Sequence, residues 1–356
     1  MTTMSPRERL ITALNRKEPD RVPIDLGFTP PLYEVFRSKT GCDSPEEYFD
    51  LEPRHAGIKR TRLQTDFSPW LGELPKGAWV NEWGEAELPC SFYHFTDYVH
   101  PLAKAQTAKD IRDYPWPDIL ADYRWEGFGD RVRDLHEKGY PVCAGMAHLF
   151  EQAWHQRGLE NFLCDMAQRP EMAETLLDIV NEMRVEYSRR AAEAGADVLS
   201  LADDVGTQRA MMMSPAMFRR WIKPGHAEAI AAARSVKPDM HVFYHSDGDI
   251  RAIIEDLIEI GITVLNPVQP ECMDPAWVKA EYGDRLAFWG TMGTQTTMPF
   301  GTVDEVRRVV KERIETVGRG GGLVLAPTHV LEPEVPWENV VTFVEAAREY
   351  GRYPLP

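Results

Sequence analysis

Through the second half of the chain, short apolar runs alternate with long stretches that repeat their apolar positions every three to four residues. The runs are ADVLSLADD (196–204), HVFYHSDG (241–248), ITVLNP (262–267), RLAFWGT (285–291) and GLVLAPTH (322–329). Strands alternating with helical segments read as βα units and a parallel sheet. The helices carry start and stop signals. Thr302 with Glu305 makes a capping box ahead of the stripe Val306, Val309, Val310, Ile314 and Val317, and Gly318 stops it. Ser214–Pro215 and Asp274–Pro275 read as N-cap plus first-turn proline. Asp249 opens a helix that Gly261 closes, and a long helix runs from about Pro170 to Gly195.

Upstream, VPIDLGF (22–28) and YPVCAGMA (140–147) supply two earlier strands. That makes seven, with one short or irregular strand unassigned, and eight is the number that closes a (β/α)8 TIM barrel. Residues 65–117 break the rhythm: the stretch is aromatic, alternating and turn-rich, and predicts an antiparallel β-hairpin inserted after the first barrel unit as a lid or wall. The expected architecture is one α/β domain over 1–356, a barrel with an N-terminal extension and this insert. GRGGG (318–322) follows a helix and precedes a strand, the reverse of a phosphate-cradling loop, and reads as an αβ turn.

Composition narrows the function. Forty Lys and Arg against 56 Asp and Glu leave a net charge of −16, which argues against nucleic acid and anionic lipid. The five cysteines (Cys42, Cys90, Cys143, Cys164, Cys272) are scattered and form no CxxC pair, which fits a reducing cytosol. No apolar run approaches the roughly 20 residues that span a bilayer, and the charged opening MTTMSPRERL is no signal peptide. A cytoplasmic protein without membrane contact is expected.

A TIM barrel builds its site from the C-terminal ends of its strands. Here those ends carry Asp203 and Asp204, then His245, Ser246 and Asp247, then Asn266, Thr291, Thr328 and His329. Imidazoles and carboxylates converging there suit metal binding or proton transfer. Asp203 and Asp204 are adjacent, so on an extended segment only one enters the mouth; Asp204 is taken, and the other caps the following turn. His241 shares a face with His245 but lies near the barrel bottom, in a structural role. Met211, Met212 and Met213 line an apolar pocket or pack under the next helix. Trp83, Tyr93 and Tyr98 form either the insert's own core or an aromatic wall over the cavity, and Cys272 is a further ligand option.

With these residues in view, the chain resembles the uroporphyrinogen decarboxylase superfamily over nearly its whole length. The likeness rests on RERLITALNRKEPDRVPIDLG, NEWG with HPLA after it, YPWPD, LADDVGTQRAMMMSP, HSDGDI, LNPVQPE, FWGTMGTQ and LAPTHVLEPEVPWENV. True decarboxylases carry an arginine-containing stretch soon after the first strand; here it reads LGFTPPLYEVF, without arginine until Arg37. The resemblance is therefore nearer to the cobalamin-dependent methyltransferase and O-demethylase branch. In thiol-methylating members zinc is held by a His-x-Cys pair and a later Cys, positions that here correspond to His245, Asp247 and His329.

The resemblance implies zinc held by His245 and His329 with Asp247 or Glu271. It also implies Asp204 as substrate orienter or proton donor, with Asn266, Gln269, Trp83 and Met212 around the substrate. It further implies a small-molecule methyl donor, a corrinoid carried by a separate protein, and a homodimer. The competing reading is a metal-free carboxy-lyase for a small acid or tetrapyrrole, with Asp204 as acid and His329 as orienter. A third is a non-catalytic binding barrel.

Overall fold

The apolar runs lie side by side in chain order. A computed structural model of the chain describes residues 3–88, 97–146 and 148–355, so Cys90 and Tyr93 fall outside the described residues. The strands are β1 (Arg54–His55), β2 (Trp79–Val80), β3 (Ala86–Leu88), β4 (Asp97–Val99), β5 (Val142–Gly145), β6 (Val198–Ala202), β7 (His241–His245), β8 (Val264–Asn266), β9 (Ala287–Met292) and β10 (Leu323–Pro327). Seven form a parallel sheet in the order β1-β5-β6-β7-β8-β9-β10. The run 22–28 sits on its far edge through parallel bridges Ile24–Leu325 and Phe28–Leu331. Between that run and β1, the buried Glu52 carboxylate accepts the Ile24 amide at 2.8 Å and is held by Arg9 and Arg21 at 2.9 and 2.8 Å.

The result is a TIM-type barrel of eight positions. The strand missing from the sequence pattern is β1, whose two residues are too few to show an alternation. The insert accordingly follows the second barrel position, not the first. It is a three-stranded antiparallel sheet, β2-β3-β4, rather than a hairpin.

Side chains on the strands alternate between two cores, as the pleat requires. Val198, Val264, Ala287, Trp289, Val324 and Ala326 fill the barrel together with Leu10 and Leu14 of helix Pro6–Leu14. Leu199, Leu201, Val242, Tyr244 and Leu325 face the outer helices. The predicted helix signals operate as hydrogen bonds: Thr302 and Glu305 cap reciprocally, Ser214 accepts from the Met217 amide and Asp274 from the Ala276 amide. The long helix is Pro170–Glu193.

Asp249 behaves differently from expectation. Its carboxylate accepts the Arg251 amide at 3.1 Å and grips the Arg251 guanidinium, making a tight turn, so the α-helix begins later, at Ile254–Ile260, and ends at Gly261. Among the described residues no helix is long and apolar enough to cross a membrane.

Candidate active site

A cavity of about 790 Å³ opens at the C-terminal ends of the strands, lined by residues from the run 22–28, β1, β5, β6, β7, β8, β9 and β10. His245, Asn266, Thr328 and His329 face it, as does Trp289, packed edge-on against Phe243 at 5.3 Å. No Arg or Lys is among its described lining residues.

On the rim, Asp204, His245 and Asp247 place one donor atom each within 4.8 Å of one another. His245 Nε2 lies 3.5 Å from Asp204 Oδ1, and that oxygen accepts the Asp247 amide at 2.8 Å. Two half-buried carboxylates beside one imidazole leave negative charge uncompensated. Burial raises Asp204 above its usual range and pushes Asp247 to about 6, with neighbouring carboxylates adding to both. Asp247 Oδ1 is itself buried and has no hydrogen-bond partner among the described residues.

The other predicted residues take distinct places. His329 lines the cavity, its ring centroid 6.3 Å from that of His245. Glu271 lies outside the three-donor group: Oε1 accepts from Thr296 Oγ1 at 2.7 Å, while Oε2 is buried with no hydrogen-bond partner among the described residues. Gln269 is buried beneath the HSDG turn, where Oε1 accepts the Gly248 amide at 3.1 Å. Met212 packs against the main core. Trp83 belongs to the packing between insert and barrel: it is 8% exposed and meets Trp116 edge-on, and its carbonyl accepts from Tyr114 and Gln156. Tyr98 stacks on His155 at 4.4 Å. His241 stands at the opposite end of the barrel, beside Arg7 and His136 of a separate lower pocket.

Asp203 and Asp204 do diverge. Asp203 is fully buried and points behind the strand, where Oδ1 accepts the Glu151 amide at 3.0 Å. Glu151 returns the contact, its Oε2 accepting the Asp204 amide at 3.1 Å and pairing with His148 Nδ1. Burial opposes the Glu151 charge, yet the bond and charge of His148, the Asp204 amide and His155 together outweigh it and hold the carboxyl at about 2, while His148 is raised in turn.

His148 and Glu151 escaped the sequence reading. Their signal was a His and a Glu three apart across a helix start just after β5. Asp25 also escaped it, a cavity carboxylate raised by burial that accepts from Trp289 Nε1 at 3.0 Å.

Comparison with known proteins agrees with this architecture. The chain is 28% identical over 359 residues to the methylcobamide:CoM methyltransferase MtaA of Methanosarcina barkeri, covering 98% of this chain and 99% of that protein. It is 31% identical to a uroporphyrinogen decarboxylase of Thermus thermophilus over 49% of this chain and 48% of that one. A solved methyltransferase from Methanosarcina mazei shares the fold, with TM-score 0.69, 21% identity and coverage of 98% and 99% of the two chains. The family model described as uroporphyrinogen decarboxylase (URO-D) matches residues 105–350, and the chain belongs to that family.

Proposed function

We propose that this protein is an enzyme that moves a methyl group from a small methylated donor, such as a methyl ether, to a corrinoid carried by a separate protein. Zinc in this reading is held by His245, Asp247 and Asp204. The observation that carries it is the convergence of those three donors on the cavity rim with one buried carboxylate oxygen left unpartnered. End-to-end likeness to a methylcobamide:CoM methyltransferase supports the reaction class.

The donor set suits a divalent cation. One imidazole nitrogen and two carboxylates match zinc's preferences, without the thiolates of thiol-methylating relatives, and a cation would offset the burial and the neighbouring carboxylates that raise Asp204 and Asp247. Asp204 thereby moves from the expected substrate orienter or proton donor to a ligand. His329 takes the role of a cavity residue facing substrate. Glu271, whose charge also raises Asp247, is the further carboxylate of the site.

Zinc bound there would supply Lewis acidity to the methyl-bearing oxygen or sulfur. Asn266 orients His245 so that Nε2 faces the two carboxylates. Phe243 and Trp289 offer an apolar wall to the donor's body and keep water from it. His148, raised by Glu151, Asp203 and Asp204 against the pull of burial, would offer a proton on the cavity wall to the leaving atom. The absence of Arg and Lys among the described lining residues weighs against a polycarboxylate such as a porphyrinogen, whose charges would go unpaired.

The test is the metal content of freshly purified protein by mass spectrometry, wild type against His245→Ala and Asp247→Ala, with demethylation of aryl methyl ethers followed through cobalt(I) cobalamin absorbance. About one zinc per chain, lost in both variants together with methyl transfer, supports the reading. No metal in any of them, with carbon dioxide released from a small acid, replaces it with the carboxy-lyase.

A further inference from the structure

We propose that Asp203, His226 and Arg184 are positioning residues, a buried chain that fixes Glu151 and through it Asp204 at the rim of the cavity. The proposal deepens the metal-site reading above, and its last link rests on it.

All three side chains are buried, at 0, 0 and 1% exposure, on three different elements: the end of β6, helix Lys223–Val236 and helix Pro170–Glu193. Arg184 Nη2 stands 3.0 Å from His226 Nδ1. A guanidinium only donates, so Nδ1 is the acceptor and the ring proton sits on Nε2. Nε2 lies 3.0 Å from Asp203 Oδ2, a contact at an angle off the N–H axis that a small ring rotation would turn into a hydrogen bond. Burial lowers His226, which keeps the ring neutral and in that tautomer.

The free end of the chain then does local work. Helix Phe150–Arg157 has no side-chain cap of its own at Leu149, so its first amides need acceptors. Asp203 Oδ1 supplies one to Glu151, and Glu151 Oε2 accepts in return from the backbone of Asp204. This reciprocal clasp has the logic of a capping box, built between a strand end and a helix residue 52 positions earlier in the chain. It sets where the Asp204 backbone lies, and hence where its carboxylate meets His245 and the Asp247 amide.

His148, Glu151 and Asp203 also place donor atoms within 4.8 Å of one another. Their charges are already balanced, Glu151 by His148 and Asp203 by Arg184 through His226. A second cation finds less charge to neutralise there than at Asp204 and Asp247, where the single imidazole of His245 faces two carboxylates.

The experiment compares full-length wild type, His226→Leu, His226→Gln and Asp203→Asn. A glutamine can accept from Arg184 with its oxygen and donate to Asp203 with its nitrogen. Zinc affinity is read by chelator competition, and the ring nitrogens of His148 and His245 by ¹⁵N spectra of metal-free protein. His226→Leu is expected to weaken zinc binding about tenfold or more, the scale of losses around metal ligands, and to shift both rings. His226→Gln is expected to restore both. Asp203→Asn repeats the loss should the leucine variant fail to fold. Unchanged affinity and spectra in either folded variant, or a glutamine variant no better than leucine, overturns the proposal. If wild type binds no zinc, the metal reading fails alone, and the ¹⁵N spectra still decide whether the chain positions the site.

Discussion

Asn266 Oδ1 accepts a hydrogen bond from His245 Nδ1 at 2.5 Å, and the same amide donates from Nδ2 to the Trp289 carbonyl at 2.7 Å. The second bond settles which end of the carboxamide faces His245. The imidazole is thereby held with its proton on Nδ1 and its lone pair on Nε2, towards Asp204.

Replacing Asn266 by Leu keeps the branched shape and the number of heavy atoms and removes both bonds. Zinc affinity is expected to fall by about 10- to 100-fold, the range for losing the partner of a metal-bound histidine. Chelator competition checks this, and an affinity equal to wild type would separate Asn266 from the site.

If the proposed cation is bound, chelation should lower thermal stability, because Asp204 and Asp247 are then left near one another half-buried. At a hundredfold excess over Kd, a bound ion contributes about 3 kcal/mol. Calorimetry with and without chelator is expected to show a clear fall in Tm for wild type. The double variant Asp204→Asn and Asp247→Asn is expected to show none.

Gly290 on β9 has φ +132°, and a Cβ there would lie 2.3 Å from the Pro267 carbonyl oxygen, a backbone atom that cannot swing away. Gly290→Ala is expected to cost about 3 kcal/mol in urea unfolding, combining backbone strain with a steric clash. The displaced neighbour, Pro267, follows Asn266, so zinc affinity should fall as well.

Burial, helped by Lys237 and Arg16, lowers His241 from the ordinary 6.5 to about 4. As pH falls below 6.5 the unfolded chain takes up this proton and the folded protein does not, until about pH 4. Stability therefore declines across that window, by at most about 3 kcal/mol from this residue. His155, also lowered to about 4, acts in the same direction. His241→Gln is expected to flatten part of the slope of Tm against pH between 6.5 and 4, and an unaltered slope would remove His241 as its source.

Much of the barrel was legible because its cues are local. The β6 to β10 runs, the Thr302–Glu305 box, the Ser214 and Asp274 caps and the polar strand ends each depend on residues a few positions apart. Strand ends in a TIM barrel converge, so His245, Asp247, Asn266 and His329 could be assigned to one mouth before any coordinates.

Tertiary packing decided the rest. Two residues are too few for Arg54–His55 to show a period, and β1 exists because β5 offers it a partner. Which of two adjacent aspartates enters the mouth depended on His226 and Arg184 awaiting the other behind the sheet. Trp83 joined the insert's packing rather than the cavity because Trp116 and Gln156 meet it there. Periodicity along a chain records which positions are buried, but the partner a polar group finds on another element is set only when separate helices and strands close around it.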